Sequence, residues 1–124
     1  MTNVPTFMMN IPSSYDTAVR NNVWMEEYDD EDIIVNKPKA IREMWEVYSF
    51  LASQGFVYLL PTPIDCKLQD LVFVANNGIV LQHTPIYIGS NFKATNRIGE
   101  EVIGMRFFDS LGYKTIRSPF EFEG

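Results

Sequence analysis

The chain is poor in most of the groups that usually carry chemistry. Among its 124 residues a single cysteine, Cys66, excludes an internal disulfide. It lies in Pro63-Ile64-Asp65-Cys66-Lys67 with no base close by in sequence, so it reads as an incidental thiol rather than an activated nucleophile. The only histidine, His83, sits between two apolar runs, and a lone imidazole is more often a surface or satisfied side chain than a catalyst. Basic residues are outnumbered, ten against sixteen acids for a net charge of −6, which argues against a phosphate-backbone partner because no cationic surplus exists to displace counterions. No apolar stretch approaches the roughly 20 residues needed to cross a bilayer. The opening residues have no basic stretch followed by an apolar run, so no signal peptide is visible and a cytoplasmic setting is expected. Gly-rich phosphate loops, H-E-x-x-H, paired CxxC and G-x-S-x-G are all missing; neither a metal nor an organic cofactor is expected.

What the chain does have is core material. Hydrophobic residues make up 46% and charged residues 21%, with nine Phe, six Tyr and two Trp. The length suits one ordinary domain spanning residues 1–124, which on folding would bury roughly two-thirds of the surface exposed by the open chain. Six acids, Glu26, Glu27, Asp29, Asp30, Glu31 and Asp32, crowd into seven positions. They lack the spaced oxygens and turn glycine of a calcium loop, so a solvated acidic loop is expected there.

Periodicity outlines the elements. Thr6 to Met9 reads as a short buried strand, ended by Asn10 and Pro12, and residues 13–37 as a long polar loop. Ile41, Met44, Trp45, Tyr48, Leu51 and Ala52 recur at three- and four-residue spacing and predict an apolar helix face. Asn36 or Lys37 precedes that helix, Pro38 suits its first turn and Gly55 ends it. Phe56–Leu60, Leu71–Ala75, Ile79–Leu81, Ile86–Ile88 and Tyr113–Arg117 read as strands, with Asn76-Asn77-Gly78 as a turn between the second and third. Helical spacing returns at Val102, Ile103, Met105, Phe107, Phe108 and Leu111, closing at Gly112. The segments FLASQGFVYLLPTP and FFDSLGYKTIRSPF share one grammar of helix end, glycine, aromatic, strand and proline, with Gly55 and Gly112 57 positions apart. This suggests a repeated strand–strand–helix–strand unit.

Asp70 and Asn76 lie at even spacing with Phe73 between them. In an extended strand, even spacing directs both polar groups to one face. A carboxylate, an amide and an aromatic ring there could hold a planar cation, while the plainer alternative is a strand start followed by a hairpin turn.

Several motifs then point the same way. Phe7-Met8-Met9-Asn10 followed by Asn21-Asn22-Val23-Trp24-Met25 is similar to the opening of arginine dihydrolases and amidinotransferase-like hydrolases, where a short strand leads to Asn-Pro-Trp-Met. LQDLVFVANNGIVL resembles that family's Pro-Asp-x-Val-Phe-Thr-Ala-Asn-Ala-Gly strand, and SNFKATNRIGEEVIGMRFFDSLGYKTIRSPFEFEG is similar to its Arg-Gln-Gly-Glu-Glu helix with a Phe-Glu-Gly ending. The resemblance covers nearly the whole chain in order. It implies an α/β fold: the N-terminal portion, about the first two blades, of a five-bladed α/β-propeller built of strand–strand–helix–strand units. The chemistry it implies is attack by a Cys thiolate on a guanidinium carbon, with a His as acid and then base.

Carried over residue by residue, the resemblance makes Asp70 a contact for the substrate's amino end, Phe73 a pocket wall and Asn22 a further substrate contact. It sets Asn76 against the guanidinium and Glu123 at the catalytic carboxylate. Asn91 stands where arginine dihydrolases carry an Arg for the substrate carboxylate, and Val23 stands in place of the usual Pro. Neither His83 nor Cys66 occupies the family's His or Cys position. The expected role is therefore the substrate-binding part of a hydrolase acting on C–N bonds of arginine-like guanidines, inactive alone. Amidino transfer, or a non-catalytic guanidine-binding or interaction protein, are the alternatives. The expected partners are a small guanidine such as arginine, and either the C-terminal half of the same enzyme or a second copy; nucleic acid and membrane are not. Because Cys66 is assigned no role, Cys66→Ser is expected to leave the thermal midpoint and ligand uptake essentially unchanged. Trapping of a guanidine-derived electrophile at Cys66, much faster than at a free thiol, would contradict this.

Overall fold

The computed structural model describes residues 3–21, 23–81 and 83–124. The chain divides into two compact units, Met1–Val72 and Phe73–Gly124. In the first, strand β1 (Thr6–Asn10) pairs in parallel with β2 (Phe56–Leu60), from Thr6↔Phe56 to Asn10↔Leu60. Parallel pairing requires a crossover, supplied here by helix α1 (Lys37–Gln54). Asn36 caps α1 by accepting from the Lys39 amide at 3.0 Å, and Pro38 occupies its first turn, where a missing N–H costs nothing. The end of the two-stranded sheet is closed by Asn10, a buried side chain that donates to the Leu60 carbonyl at 2.9 Å and to Thr62 Oγ1 at 2.8 Å.

The second unit is a three-stranded sheet in the order β3 (Gly78–Val80), β4 (Ile86–Gly89), β5 (Lys114–Arg117). β3 and β4 are antiparallel, β4 and β5 parallel, and helix α2 (Glu100–Ser110) makes the crossover. Its element order is thus strand–strand–helix–strand. Tyr87 and Phe108 stack with ring centroids 4.3 Å apart, and Tyr113 meets Phe108 edge-on at 5.2 Å. Burial first, and the nearby Glu101 charge second, push the Tyr87 hydroxyl well above the ordinary tyrosine range; it remains a neutral donor to Asn77 Oδ1 at 3.1 Å.

Several sequence expectations are corrected. Leu71–Ala75 is not a strand: it runs through a turn into a 3-10 helix at Val74–Asn76, closed by Asn76 N–H to Phe73 C=O at 3.0 Å and Asn77 N–H to Val74 C=O at 3.1 Å. Local bonds satisfy this backbone, and Leu71 is buried as a single plug; a short apolar run does not distinguish these cases. The hairpin accordingly joins β3 to β4 and does not turn at Asn76-Asn77-Gly78. The face predicted for α1 is largely open, with Trp45 58% exposed and no residue of the helix fully buried. The loop at 13–37 contains a 3-10 turn, Val23–Glu27. Gly55 is extended (φ −175°) whereas Gly112 is left-handed (φ 87°), so the echo in sequence grammar is not an echo in helix-end geometry. The acidic run is exposed as expected, with Asp30 paired to Arg20 at 2.7 Å.

Gly104 is where α2 comes closest to the sheet: a Cβ there would lie 2.2 Å from Asn77 Oδ1 and 2.4 Å from the Tyr87 hydroxyl oxygen. Alanine would gain about 1 kcal/mol of helix propensity, but overpacking of this kind typically costs about 1–3 kcal/mol. It would also break the buried Tyr87–Asn77 bond. Gly104→Ala is therefore expected to lower the urea midpoint, and an unchanged or raised midpoint would show that α2 does not pack this tightly.

Candidate functional site

The second unit gathers polar groups around one guanidinium. Thr95–Arg97 is a 3-10 turn, Gly99 (φ 111°) reverses the backbone, and α2 begins at Glu100. This short reversal brings Arg97 and Glu100 together as a fork on a fork, with Nε donating to Oε1 at 3.0 Å and Nη2 to Oε2 at 2.9 Å. Glu100 is fully buried and Arg97 nearly so. The Phe92 ring lies 4.6 Å from the guanidinium carbon, a cation–π contact that shields one face. The remaining nitrogen, Nη1, lies 3.3 Å from Asn76 Oδ1 and 3.9 Å from Glu123 Oε2.

A second set of bonds holds the two acceptors in place. Asn91 and Phe122 exchange backbone hydrogen bonds at 2.9 and 3.0 Å, and Asn91 Nδ2 donates to the Ser118 carbonyl at 3.2 Å. The Gly124 amide donates to Ser90 Oγ at 3.1 Å and to the Asn76 carbonyl at 3.3 Å, while Asn76 Nδ2 donates back to the Gly124 carbonyl at 3.3 Å. Ser90, fully buried, closes the set by donating from Oγ to the Asn76 carbonyl at 2.5 Å. Residues 118–124 are thereby laid along residues 90–91, and Glu123 arrives beside Asn76.

Of the site residues expected from sequence, Asn76, Asn91 and Glu123 meet in this one strip. Phe73 is half-exposed and leads into the 3-10 turn of Asn76. Asp70 belongs to the first unit, where it accepts from Asn21 Nδ2; beside it Gln69 exchanges two bonds with the Val19 backbone at 3.0 and 2.7 Å. Asp70 and Asn76 do not share a strand face, because the segment between them is a turn and a 3-10 helix. Asn22 lies outside the described residues. Sequence reasoning missed Arg97 and Ser90. Arg97 carried a usable signal, an Arg three residues before a Glu at a helix start; Ser90 carried none. An open cleft of about 290 Å³ in the first unit is bordered by Arg20 and Asp30 and, among the described residues, by none of the expected site residues.

Chemically, the strip offers acceptors: Asn76 Oδ1 and a part-exposed Glu123 carboxylate suit the N–H groups of a planar cation. Ser90 Oγ is buried and committed to two hydrogen bonds. Among the described residues no three His, Cys, Asp or Glu side chains come together as a metal site, and no helix is long and apolar enough to cross a membrane.

The same fold occurs in solved enzymes. A crystal structure of an AgrE cysteine-to-alanine mutant with L-arginine superposes with a TM-score of 0.83 at 30% identity, covering 96% of this chain and 17% of that one. The substrate-bound N-terminal domain of ArgZ, an arginine dihydrolase from the Ornithine-Ammonia Cycle in Cyanobacteria, gives 0.81 at 26% identity, covering 94% and 41%. Apo ArgZ gives 0.82 at 26%, covering 94% and 17%. No protein-family model matches the chain, and no curated protein matches it either. In motifs and fold, over nearly its full length, the chain is similar to guanidine-modifying enzymes of the amidinotransferase-like superfamily. Within that class its similarity is to AgrE and to arginine dihydrolase ArgZ, of which it spans a minor part.

Ser90 tests the integrity of the strip. Ser90→Ala removes one donor and one acceptor from a part-buried pair of backbone groups, and is expected to destabilise by about 0.5–1.5 kcal/mol. Faster hydrogen exchange at the Gly124 amide should accompany it; unchanged exchange there would show that Ser90 does not hold the segment.

Proposed function

We propose that the chain is the substrate-binding part of a hydrolase acting on carbon–nitrogen bonds of arginine-like guanidines, in the manner of arginine dihydrolases and dimethylargininases. The observation that carries this reading is the pairing of Asn76 and Glu123 around a shared acceptor strip, in a fold like that of the arginine-bound AgrE structure. Glu123 is the carboxylate at the reacting centre and Asn76 the amide against the guanidinium. Asn22, Asp70, Phe73 and Asn91 complete the substrate contacts.

The strand–strand–helix–strand order of the second unit supports one blade of a five-bladed α/β-propeller, with the first unit contributing part of another. The reaction of this class needs a thiolate nucleophile and a proton carrier. The resemblance puts neither Cys66 nor His83, which is exposed between β3 and β4, at the family's Cys or His position. The chain alone therefore binds guanidines without turning them over, in a cytoplasmic setting and without a cofactor. Catalysis falls to a C-terminal half of the same enzyme or another chain that supplies both groups. Were no such chain to restore hydrolysis, a guanidine-binding role without catalysis would be favoured over both hydrolysis and amidino transfer.

Calorimetric titration with L-arginine is the test. Saturable binding is expected, weakened at least tenfold in Asn76→Ala and in Glu123→Gln, equivalent to about 1.4 kcal/mol. Absence of saturable binding by arginine or its methylated derivatives would remove the reading. Citrulline, ornithine or ammonia release by the chain itself would overturn its inactivity.

A further inference from the structure

We infer that Gln69 is a positioning residue in the first unit: its side-chain amide clamps the Val19 backbone and so delivers Asn21 to the Asp70 carboxylate. The inference rests on the guanidine-binding reading, in which Asp70 meets the ligand's amino end. It adds a residue that acts there only through its neighbours.

Residues 14–21 belong to no helix or strand, so no ladder of backbone bonds places them. Some of their side chains fold the loop onto itself. Thr17 Oγ1 donates to the Ile33 carbonyl, while Arg20 donates to the carbonyls of Met25 and Tyr28 and pairs with Asp30. Three fastenings reach instead across 54, 50 and 49 positions to residues 68–70. Ser14 Oγ donates to the Leu68 carbonyl at 2.9 Å. Gln69 Oε1 accepts from the Val19 amide at 3.0 Å, and its Nε2 donates to the Val19 carbonyl at 2.7 Å. Asn21 Nδ2 donates to Asp70 Oδ2. The partners follow the same chain order on both sides, so each fastening sets the place of the next.

The middle one differs in kind. Gln69 is 5% exposed, and an amide buried that deeply needs partners at both of its ends. Val19 supplies both from its main chain, much as a neighbouring strand would. Turning the Gln69 amide over would set N–H against N–H and oxygen against oxygen, so its orientation is fixed. The clamp grips backbone and ignores the Val19 side chain, which is 48% exposed. It therefore fixes the course of the chain two residues before Asn21, whose short side chain can reach Asp70 only from the right backbone position. Asp70 follows Gln69 directly and is itself buried. An N–H held on Oδ2 restricts rotation of that carboxylate, and with it the direction from which an ammonium group can approach.

The rival is that Gln69 only fastens a loop and stabilises the fold. Its loss would then affect every ligand alike, or none. A positioning role is selective: it touches the ligand's amino end and spares the guanidinium end.

The experiment compares the wild-type chain with Gln69→Met, Gln69→Asn and the control Ser14→Ala. Methionine keeps length and charge but offers Val19 neither a donor nor an acceptor; asparagine keeps the amide one methylene short. L-arginine and 5-guanidinopentanoate, which is arginine without its α-amino group, are titrated into each by calorimetry. The Asn21 side-chain amide is followed by NMR relaxation without ligand. In Gln69→Met, arginine affinity is expected to fall about tenfold while that for 5-guanidinopentanoate stays near wild type, and the Asn21 amide should become mobile. Ser14→Ala should leave both affinities and the Asn21 amide close to wild type. Wild-type arginine affinity in a folded Gln69→Met chain, or equal losses for both ligands, would overturn the inference. So would an Asn21 amide as ordered as in wild type, or an arginine-selective loss of the same size in Ser14→Ala. If the wild-type chain takes up no arginine, the functional reading fails; the ligand-free Asn21 amide then decides by itself whether Gln69 holds it against Asp70. If Gln69→Met does not fold, Gln69→Asn carries the same comparison.

Discussion

Glu100 has no exposure to solvent, and Arg97 meets both of its oxygens, which offsets the cost of burying a carboxylate. The organisation of the second unit follows from that pair. It fixes the reversal at Gly99 from which α2 starts, and it places an acid at the helix N-terminus, where the peptide dipoles favour negative charge. It also aims one guanidinium nitrogen at Asn76 and Glu123. A hydrophobic pair of similar volume could hold the turn equally well.

Around this pair the structure uses polar side chains to fasten segments that have little regular structure of their own. Ser90, Asn91 and Gly124 bind the C-terminal segment along the end of β4, through backbone bonds and only a few side-chain contacts. In the first unit Asn10 and Gln69 do the same for the chain beyond β1 and for the Val19 region. Apolar surface is less well covered. Trp45 and Phe50 on α1, Phe56 on β2 and Phe120 near the chain end are exposed.

Most of the regular elements are legible in the amino-acid sequence. Asn36 and Pro38 open α1 as capping rules require, Gly55 ends it in extended rather than left-handed backbone, and the spacing from Val102 to Leu111 marks α2. β1, β2, β4 and β5 fall where short apolar or β-branched runs meet turn residues. Leu71–Ala75 misleads because a single buried leucine inside a turn and a five-residue strand look alike at that length. The open face of α1 shows a similar limit: periodicity identifies a face that can be buried, not the surface that buries it.

What the sequence determined by itself was local and chemical: which segments are helical or extended and, through its motifs, a likeness to guanidine-modifying enzymes. Asn76 and Glu123 could be named from those motifs because each sits in a recognisable short string. Their meeting could not, since 47 positions separate them and nothing in one string encodes its distance from the other. Tertiary structure decided that, through the Asn91–Phe122 pairing and the Gly124 bonds. It also decided the surroundings of Arg97, whose third nitrogen faces Asn76 while the other two meet Glu100. Such a direction is a property of packing, and packing is not written in any single stretch of chain.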